Sequence, residues 1–129
     1  MTAPARTPLA FVYDRCATNS RGQLDERLIG CHAYADRKGW VLAGHWLDLG
    51  DAAFDPARPE LGALLAAMRA AAPGREVVCL VHNWDRLAYD VQHRIALQQR
   101  IAQAGGYSVT TFDESDQRAR EALAGARRA

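Results

Sequence analysis

Lysine, long apolar runs and paired cysteines are all scarce in this sequence. Of its 16 basic residues only Lys38 is a lysine, and the formal net charge is +1. A chain with so little net charge has no general attraction for polyanions, so nucleic-acid binding would require a local cluster of arginines. No apolar stretch approaches the roughly 18 residues that a membrane span needs, which argues against a membrane role.

The cysteines and the first residues indicate a cytoplasmic protein. Cys16, Cys31 and Cys79 occur singly, without a C-x-x-C pair or the histidine spacing of a zinc site, so we expect reduced thiols and no metal. The opening segment lacks the basic and apolar regions of a secretory signal. Residues 1–8 are predicted to be a flexible lead-in, because their two prolines discourage regular structure.

Strand-like and helix-like segments alternate along the chain, whose 129 residues suit a single domain. Strands are predicted over "LAFVYDR", "WVLAGHWLDLG", "EVVCLVHNW" and "YSVTTFD", and "GDAAFDPARP" is predicted to be a loop. This order predicts an α/β fold of three layers. Its central sheet is mainly parallel, with four to five strands and helices on both faces.

Helices are predicted between the strands from apolar residues spaced three and four apart. The first helix ends at Gly39, the second runs from Pro59 to Pro73-Gly74, and the third stops at Gly105-Gly106. Their predicted buried residues are, in turn, Leu24, Leu28, Cys31 and Ala35; Leu61, Leu64, Leu65 and Met68; and Val91, Ile95 and Ile101.

Arginines follow three of the predicted strands. In parallel α/β sheets ligands bind beyond the carboxyl ends of the strands, so the loops after Tyr13, Asp48 and Trp84 are expected to lie together. These loops bring Arg15, Arg58 and Arg86 to one edge, a set suited to phosphate because each guanidinium gives two parallel hydrogen bonds. For any single arginine, a solvated position or a pair with a neighbouring aspartate is the simpler interpretation.

The motifs "VYDRCAT", "LDERLIGCHAYADRKGW", "DLGDAAFDPARPEL" and "HNWDRLAYD" together resemble the catalytic domain of the serine recombinases of the resolvase/invertase type. That family shows Y-x-R-x-S-T after the first strand, S-L-x-x-Q at a helix start, D-x-G-x-S leading to R-P, and D-R-L-x-R after the third strand. The resemblance covers residues 9–115. It assigns 116–129 to a short basic C-terminal helix or tail without a separate DNA-binding domain.

The resemblance implies a site for DNA phosphate without metal or cofactor. In such recombinases a serine attacks a DNA phosphodiester and forms a phosphoserine link, while arginines neutralise the charge that builds on the phosphoryl oxygens. Matched motif by motif, the retained positions are Arg15, Arg58, Asp85 and Arg86. The position of the nucleophilic serine is Ala17, whose methyl group cannot attack phosphorus.

Other positions also depart from the family pattern. Arg27 stands at the helix glutamine, Ala52 at the serine of D-x-G-x-S, and Tyr89 at the last arginine of D-R-L-x-R. Two side chains are candidates to replace the serine. Cys16 is expected to point away from the side of position 17, and Ser20 lies in a loop that would have to fold back.

Three hypotheses stay open from the sequence. The one we favour is a non-cleaving recombinase domain that binds DNA weakly or with a partner's help, as a homodimer, or that pairs with an active recombinase in a heteromer and modulates it. The second is an active recombinase or phosphodiesterase with another nucleophile, and the third is an interaction or oligomerisation module whose arginines are structural. The four histidines, His32, His45, His82 and His93, lie on different elements and are expected to have ordinary packing or surface roles.

Overall fold

The computed structural model describes residues 7–17 and 21–117, which contain four strands and four helices; the last two helices lie together between the third and fourth strands. The strands are β1 (Leu9–Cys16), β2 (Val41–Leu49), β3 (Val77–Val81) and β4 (Tyr107–Thr110). The helices are α1 (Arg21–Lys38), α2 (Pro59–Ala71), α3 (Trp84–Leu87) and α4 (Val91–Gln103), and two short 3-10 turns cover Gly50–Phe54 and Ala72–Gly74. Most of the predicted lead-in and nearly all of the predicted C-terminal tail lie outside the described residues.

The strands form one parallel sheet in the order β2-β1-β3-β4. Strand β1 pairs with β2 from Leu9 opposite Val41 to Cys16 opposite Leu49, and its other edge pairs with β3. All five residues of β3 are buried, as a continuous apolar run predicts for an inner strand. The predicted α/β class and parallel sheet are confirmed, and the described sheet has four strands.

Alternation along the inner strands divides the core between the two faces of the sheet. One face carries Phe11, Tyr13 and Cys79 against α2 and α4, and the other carries Val12 and Leu80 against α1. The predicted apolar stripes of α1 and α2 are confirmed, since Leu24, Cys31, Ala35, Leu61, Leu64, Leu65 and Met68 are all buried and Leu28 packs at the edge of its cluster. Helices therefore cover both faces.

The predicted face of α4 was partly wrong. Val91 and Ile95 are 53% and 47% exposed, whereas Leu97 and Ile101 are buried. The buried stripe runs through Leu97, Ile101 and Ala104 at spacings of four and three, and Ile95 lies two positions before it, on another side of the helix. Only Ile101 of the three predicted residues therefore packs on the sheet.

Two short elements lie where the sequence indicated strand or loop. Strand β3 ends at Val81, and helix α3 follows because the side chain of Asn83 accepts a hydrogen bond from the Arg86 amide and caps the first turn. The predicted loop after β2 begins as a 3-10 turn that ends at Phe54. Both elements lie at the carboxyl edge of the sheet.

Candidate functional site

A cavity of about 320 Å³ opens at the carboxyl end of β1. It lies where the sequence predicted an anion site, because parallel strands deliver their loops to the same edge. A second cavity of about 280 Å³ shares several of its residues. The first cavity is lined by Arg15, Cys16, Ala17, Gln23, Arg27, Ala53, Phe54, Arg86 and Tyr89. The second is lined by Arg15, Ala53, Phe54, Asp55, Pro56, Arg58, Tyr89, Asp90 and His93.

Arg15 lines both cavities. Its Nε and Nη2 atoms donate to the carbonyl oxygen of Asp85 over 3.1 and 2.8 Å, which joins the end of β1 to helix α3. The guanidinium carbon lies 4.3 Å from the centroid of the Tyr89 ring, within cation–π range. Burial lowers the pKa of Arg15, and the charges of Arg58 and Arg86 lower it further, so cations are crowded at this point.

Arg86 reaches the first cavity from helix α3. Its Nη1 donates to the carbonyl oxygen of Arg15 over 3.1 Å and lies 3.9 Å from the carboxylate of Asp14. Each arginine thus donates to a main-chain carbonyl next to the other. Arg86 donates to the carbonyl of Arg15, and Arg15 donates to the carbonyl of Asp85. Within the described residues the Nε atom of Arg86 is a buried donor without an acceptor.

Arg27 is a cation of the cavity that the sequence did not assign to the site. It stands on α1, and its Nε and Nη2 donate to the two carboxylate oxygens of Asp14 over 2.8 and 3.0 Å. The hydrogen bond to Asp14 raises the pKa of Arg27 against the effect of burial. The first cavity is therefore lined by three arginines, with the buried Asp14 offsetting one positive charge.

Asp48 and Arg58 form a buried support behind the cavities. Asp48 is fully buried and accepts hydrogen bonds from the Tyr13 hydroxyl over 2.8 Å and from the amides of Glu60 and Leu61 over 2.9 and 3.3 Å, which caps α2. Burial and the hydrogen bond to Asp48 raise the pKa of the Tyr13 hydroxyl. Arg58 is 3% exposed and donates to the carbonyl of Leu87, so its charge holds two segments together.

The backbone at Arg58 is unusual for a residue with a side chain. Its φ of +44° lies in the left-handed region, directly before Pro59 opens α2. Such a conformation costs on the order of 1–3 kcal/mol and persists where surrounding contacts enforce it. The carbonyl contact of the guanidinium and the cap at Asp48 supply those contacts.

Ala17 directly follows β1, is exposed and lines the first cavity. Cys16 is buried and lines it too. The cavity wraps over the end of the strand and reaches the α1 side, where Cys16 adjoins Arg27. Thr18 and Ser20 lie outside the described residues.

Asp85 contributes to the site through its main chain. Its carbonyl oxygen accepts hydrogen bonds from the guanidinium of Arg15, and the residue itself is exposed.

The structure brings Arg15 and Arg86 together in one cavity and Arg58 into the adjoining one. Sequence analysis missed Arg27 and Phe54 as lining residues. For Arg27 a signal existed, because it stands at the helix glutamine of the family pattern.

Two histidines meet that the sequence analysis treated as separate. The Nε2 atoms of His32 on α1 and His45 on β2 are in contact, and their ring centroids lie 4.7 Å apart. His32 also lines a cavity of about 460 Å³ between α1 and β2, away from the arginines, together with Ile29, Asp36, Trp40 and Leu42. Burial and the neighbouring His32 lower the pKa of His45.

The described part of the chain contains neither a cluster of metal-ligating side chains nor a helix able to span a membrane. No three histidine, cysteine, aspartate or glutamate side chains come together there as a ligand set. None of the described helices combines the length and the apolar character that crossing a bilayer requires. The three cysteines are buried and are not joined in disulfides, and burial raises the pKa of Cys31 to about 12.

Comparison with known proteins gives one family and several structures of the same fold. The model of the family described as the resolvase N-terminal domain matches residues 10–127. The N-terminal catalytic domain of TP901-1 integrase is similar with a TM-score of 0.71 and 20% identity, over 89% of this chain and 86% of that one. No curated protein matches the chain.

Two further structures are similar. One is a resolvase family site-specific recombinase from Streptococcus pneumoniae, with a TM-score of 0.70 and 15% identity over 95% of this chain and 89% of that one. The other is the C-terminal catalytic domain of ISC1926 TnpA, an IS607-like serine recombinase, with a TM-score of 0.65 and 19% identity over 89% and 77%. At these identities the likeness concerns the fold.

Proposed function

Because the chain belongs to the resolvase N-terminal domain family, we propose that its arginine cavity binds a DNA phosphate and that the domain no longer cleaves DNA. One observation carries the proposal: Arg15, Arg27 and Arg86 line a single open cavity, and the residue beside them at the end of β1 is Ala17. The cavity is thus equipped to hold an anion and has no hydroxyl at the position of the family's serine.

Electrostatics supports anion binding at this point. Three arginines line the first cavity, and the buried carboxylate of Asp14 is paired with one of them, Arg27. A phosphate oxygen accepts charge-assisted hydrogen bonds from such donors. Its negative charge would also offset the positive charges of Arg58 and Arg86, which together with burial lower the pKa of Arg15. The bound phosphate would lie over the end of β1, next to Ala17.

The chemistry at position 17 supports the loss of cleavage. In the family a serine oxygen attacks phosphorus, and the DNA strand leaves as the phosphoserine forms. A methyl group has no lone pair with which to form that bond. Binding without cleavage then permits two roles, a DNA-binding homodimer or a subunit that modulates an active recombinase.

Cleavage by another nucleophile is the competing function, and one observation favours it. The thiol of Cys16 lines the same cavity and adjoins Arg27. A thiolate there would attack phosphorus and release a strand with a free hydroxyl, leaving a phosphocysteine adduct. Such an adduct would run with the protein on a denaturing gel, and Cys16→Ala would abolish it.

DNA binding itself is tested by duplex affinity at several salt concentrations. We expect the double variant Arg15→Gln/Arg86→Gln to bind duplex DNA at least about tenfold more weakly. The dependence of log K on log salt should become shallower by about 1, because the one phosphate that the two arginines neutralise contributes roughly 0.9 to the slope. Fluorescence anisotropy from about 50 to 200 mM salt measures both quantities.

The matched control is Arg69→Gln/Arg100→Gln, which removes the same charge from exposed positions on α2 and α4. It should leave the salt slope nearly unchanged. Equal losses in the two double variants would mean that only overall charge matters, and the proposed phosphate site would be wrong. Far-ultraviolet circular dichroism verifies that both double variants are folded.

A further inference from the structure

Two exposed aromatic rings flank the arginine cavity. Phe54 is 71% exposed and Tyr89 is 68% exposed, and both line the first and the second cavity. Large aromatic side chains usually bury most of their surface in a core or an interface. Rings left in solvent beside a cationic cavity are typical of surfaces that bind unpaired bases by stacking.

The backbone holds both rings in place without burying them. Phe54 ends the 3-10 turn directly after Ala53, which is 3% exposed. Tyr89 stands between Ala88, which is 1% exposed, and Asp90, whose carboxylate accepts the His93 amide over 2.9 Å and caps α4. Both rings are therefore anchored through their neighbours, which limits the entropy lost when a ligand stacks on them.

Charge differs between the two cavities. The first has Arg15, Arg27 and Arg86 in its lining and, among the described residues, no acidic residue. The second has Arg15 and Arg58 together with Asp55 and Asp90. A phosphate is attracted to the first cavity and disfavoured next to the carboxylates of the second. Amino groups on the edge of a base, in contrast, are suitable donors to a carboxylate.

Arg15 connects the two cavities. Its guanidinium lies over one face of Tyr89 at 4.3 Å and lines both spaces. The high exposure of Tyr89 leaves much of the ring free for a second planar group. A nucleotide with its phosphate on the arginines thus has an aromatic surface within the adjoining space for its base.

We propose that Phe54 and Tyr89, together with the arginine cavity, form a binding site for unpaired nucleotides, so that the domain prefers single-stranded DNA to duplex DNA. In a duplex the faces of each base are covered by its neighbours and cannot stack on protein rings, whereas single strands offer them. The inference rests on the proposed function, because it uses the same arginines for the phosphate. It adds the state of the DNA that the site recognises.

The experiment compares three fluorescein-labelled probes of equal length, about 12 nucleotides, a length within the range that single-strand-binding sites cover. The probes are oligothymidylate, an abasic strand with the same backbone, and a duplex. The unaltered chain should bind oligothymidylate at least about tenfold more tightly than the abasic strand, because stacking contributes about five- to a hundredfold per base.

Phe54→Leu and Tyr89→Leu should each remove most of that advantage. The measured quantity is the ratio of the affinities for oligothymidylate and the abasic strand, because Tyr89 also contacts the Arg15 guanidinium and its loss can weaken phosphate binding itself. The matched control is Phe112→Leu, because Phe112 is 65% exposed and lies after β4, away from both cavities. That variant should bind all three probes as the unaltered chain does. Since all three rings are exposed, the variants are expected to fold, and thermal melting verifies this.

The outcomes separate this inference from the proposed function. If the abasic strand binds and the bases add nothing, the phosphate site stands and the stacking site is overturned. If no probe binds, both are overturned. If the two leucine variants instead change the oligomeric state in light scattering, with DNA affinities unaltered, the rings belong to a protein interface and the inference is wrong.

Discussion

Arg58 and Arg86 stand at the same edge of the sheet and have different surroundings. Arg58 is 3% exposed and its guanidinium is bound to the carbonyl of Leu87. The side chain of Arg86 is 18% exposed and faces the first cavity, although it also holds the carbonyl of Arg15. A guanidinium that the fold has buried is committed to structure, whereas one that faces a cavity has donors left for a ligand. Sequence position alone does not separate the two.

The largest expected effect concerns the buried support. Asp48→Ala removes the cap of α2 and leaves the buried hydroxyl of Tyr13 without its acceptor. We expect the free energy of unfolding to fall by about 3 kcal/mol, from the lost cap and the unsatisfied hydroxyl together. Urea unfolding measures it, and Asp51→Ala on the neighbouring exposed turn is the matched control, with a loss below about 0.5 kcal/mol.

The next effect separates the two arginines directly. Arg58→Gln should lower the free energy of unfolding by about 2 kcal/mol, because it deletes a buried charge-assisted hydrogen bond to Leu87. Arg86→Gln should cost less than about 1 kcal/mol, since its contact is only partly buried. The comparison fails if Arg86→Gln destabilises the chain as much as Arg58→Gln does.

The smallest expected effect is a loss of stability in mild acid. Burial lowers the pKa of His45 and His82. The neighbouring His32 lowers the pKa of His45 further, and the charge of Arg27 lowers that of His82. The unfolded chain therefore binds more protons than the folded chain as pH falls through about 6.5, and stability decreases until the folded histidines are protonated as well.

Chemical unfolding at pH 7.5 and 5.5 checks this effect, which solvent screening keeps below about 1 kcal/mol for the exposed His45. The double variant His45→Gln/His82→Gln should show a smaller difference between the two pH values. His93→Gln is the control, and an equally reduced difference in it would contradict the assignment.

Residue periodicity and the topology rules for parallel sheets predicted most of the fold. Alternating strand and helix patterns predicted the parallel sheet, and the rule that loops gather at the carboxyl edge predicted that Arg15 and Arg86 meet. The short capped helix α3 was missed because it depends on one side chain, that of Asn83, which accepts the amide of Arg86.

The rest of the site depends on distances that spacing in the sequence does not contain. Arg27 joins the cavity because its side chain on α1 binds Asp14 near the end of β1, 13 positions away along the chain. Whether an arginine ends up buried like Arg58 or open like Arg86 is decided by the neighbouring loops. The contact between His32 and His45 likewise arises only from the packing of α1 on β2.

The central claim, that the cavity binds DNA without cutting it, is tested most directly by incubating the unaltered chain with supercoiled plasmid and resolving the products on a denaturing gel. With Ala17 at the end of β1, the account predicts neither nicked circles nor protein–DNA adducts at concentrations where the plasmid is bound. Adducts from the unaltered chain would contradict it, and their disappearance in Cys16→Ala would identify the thiol as the nucleophile.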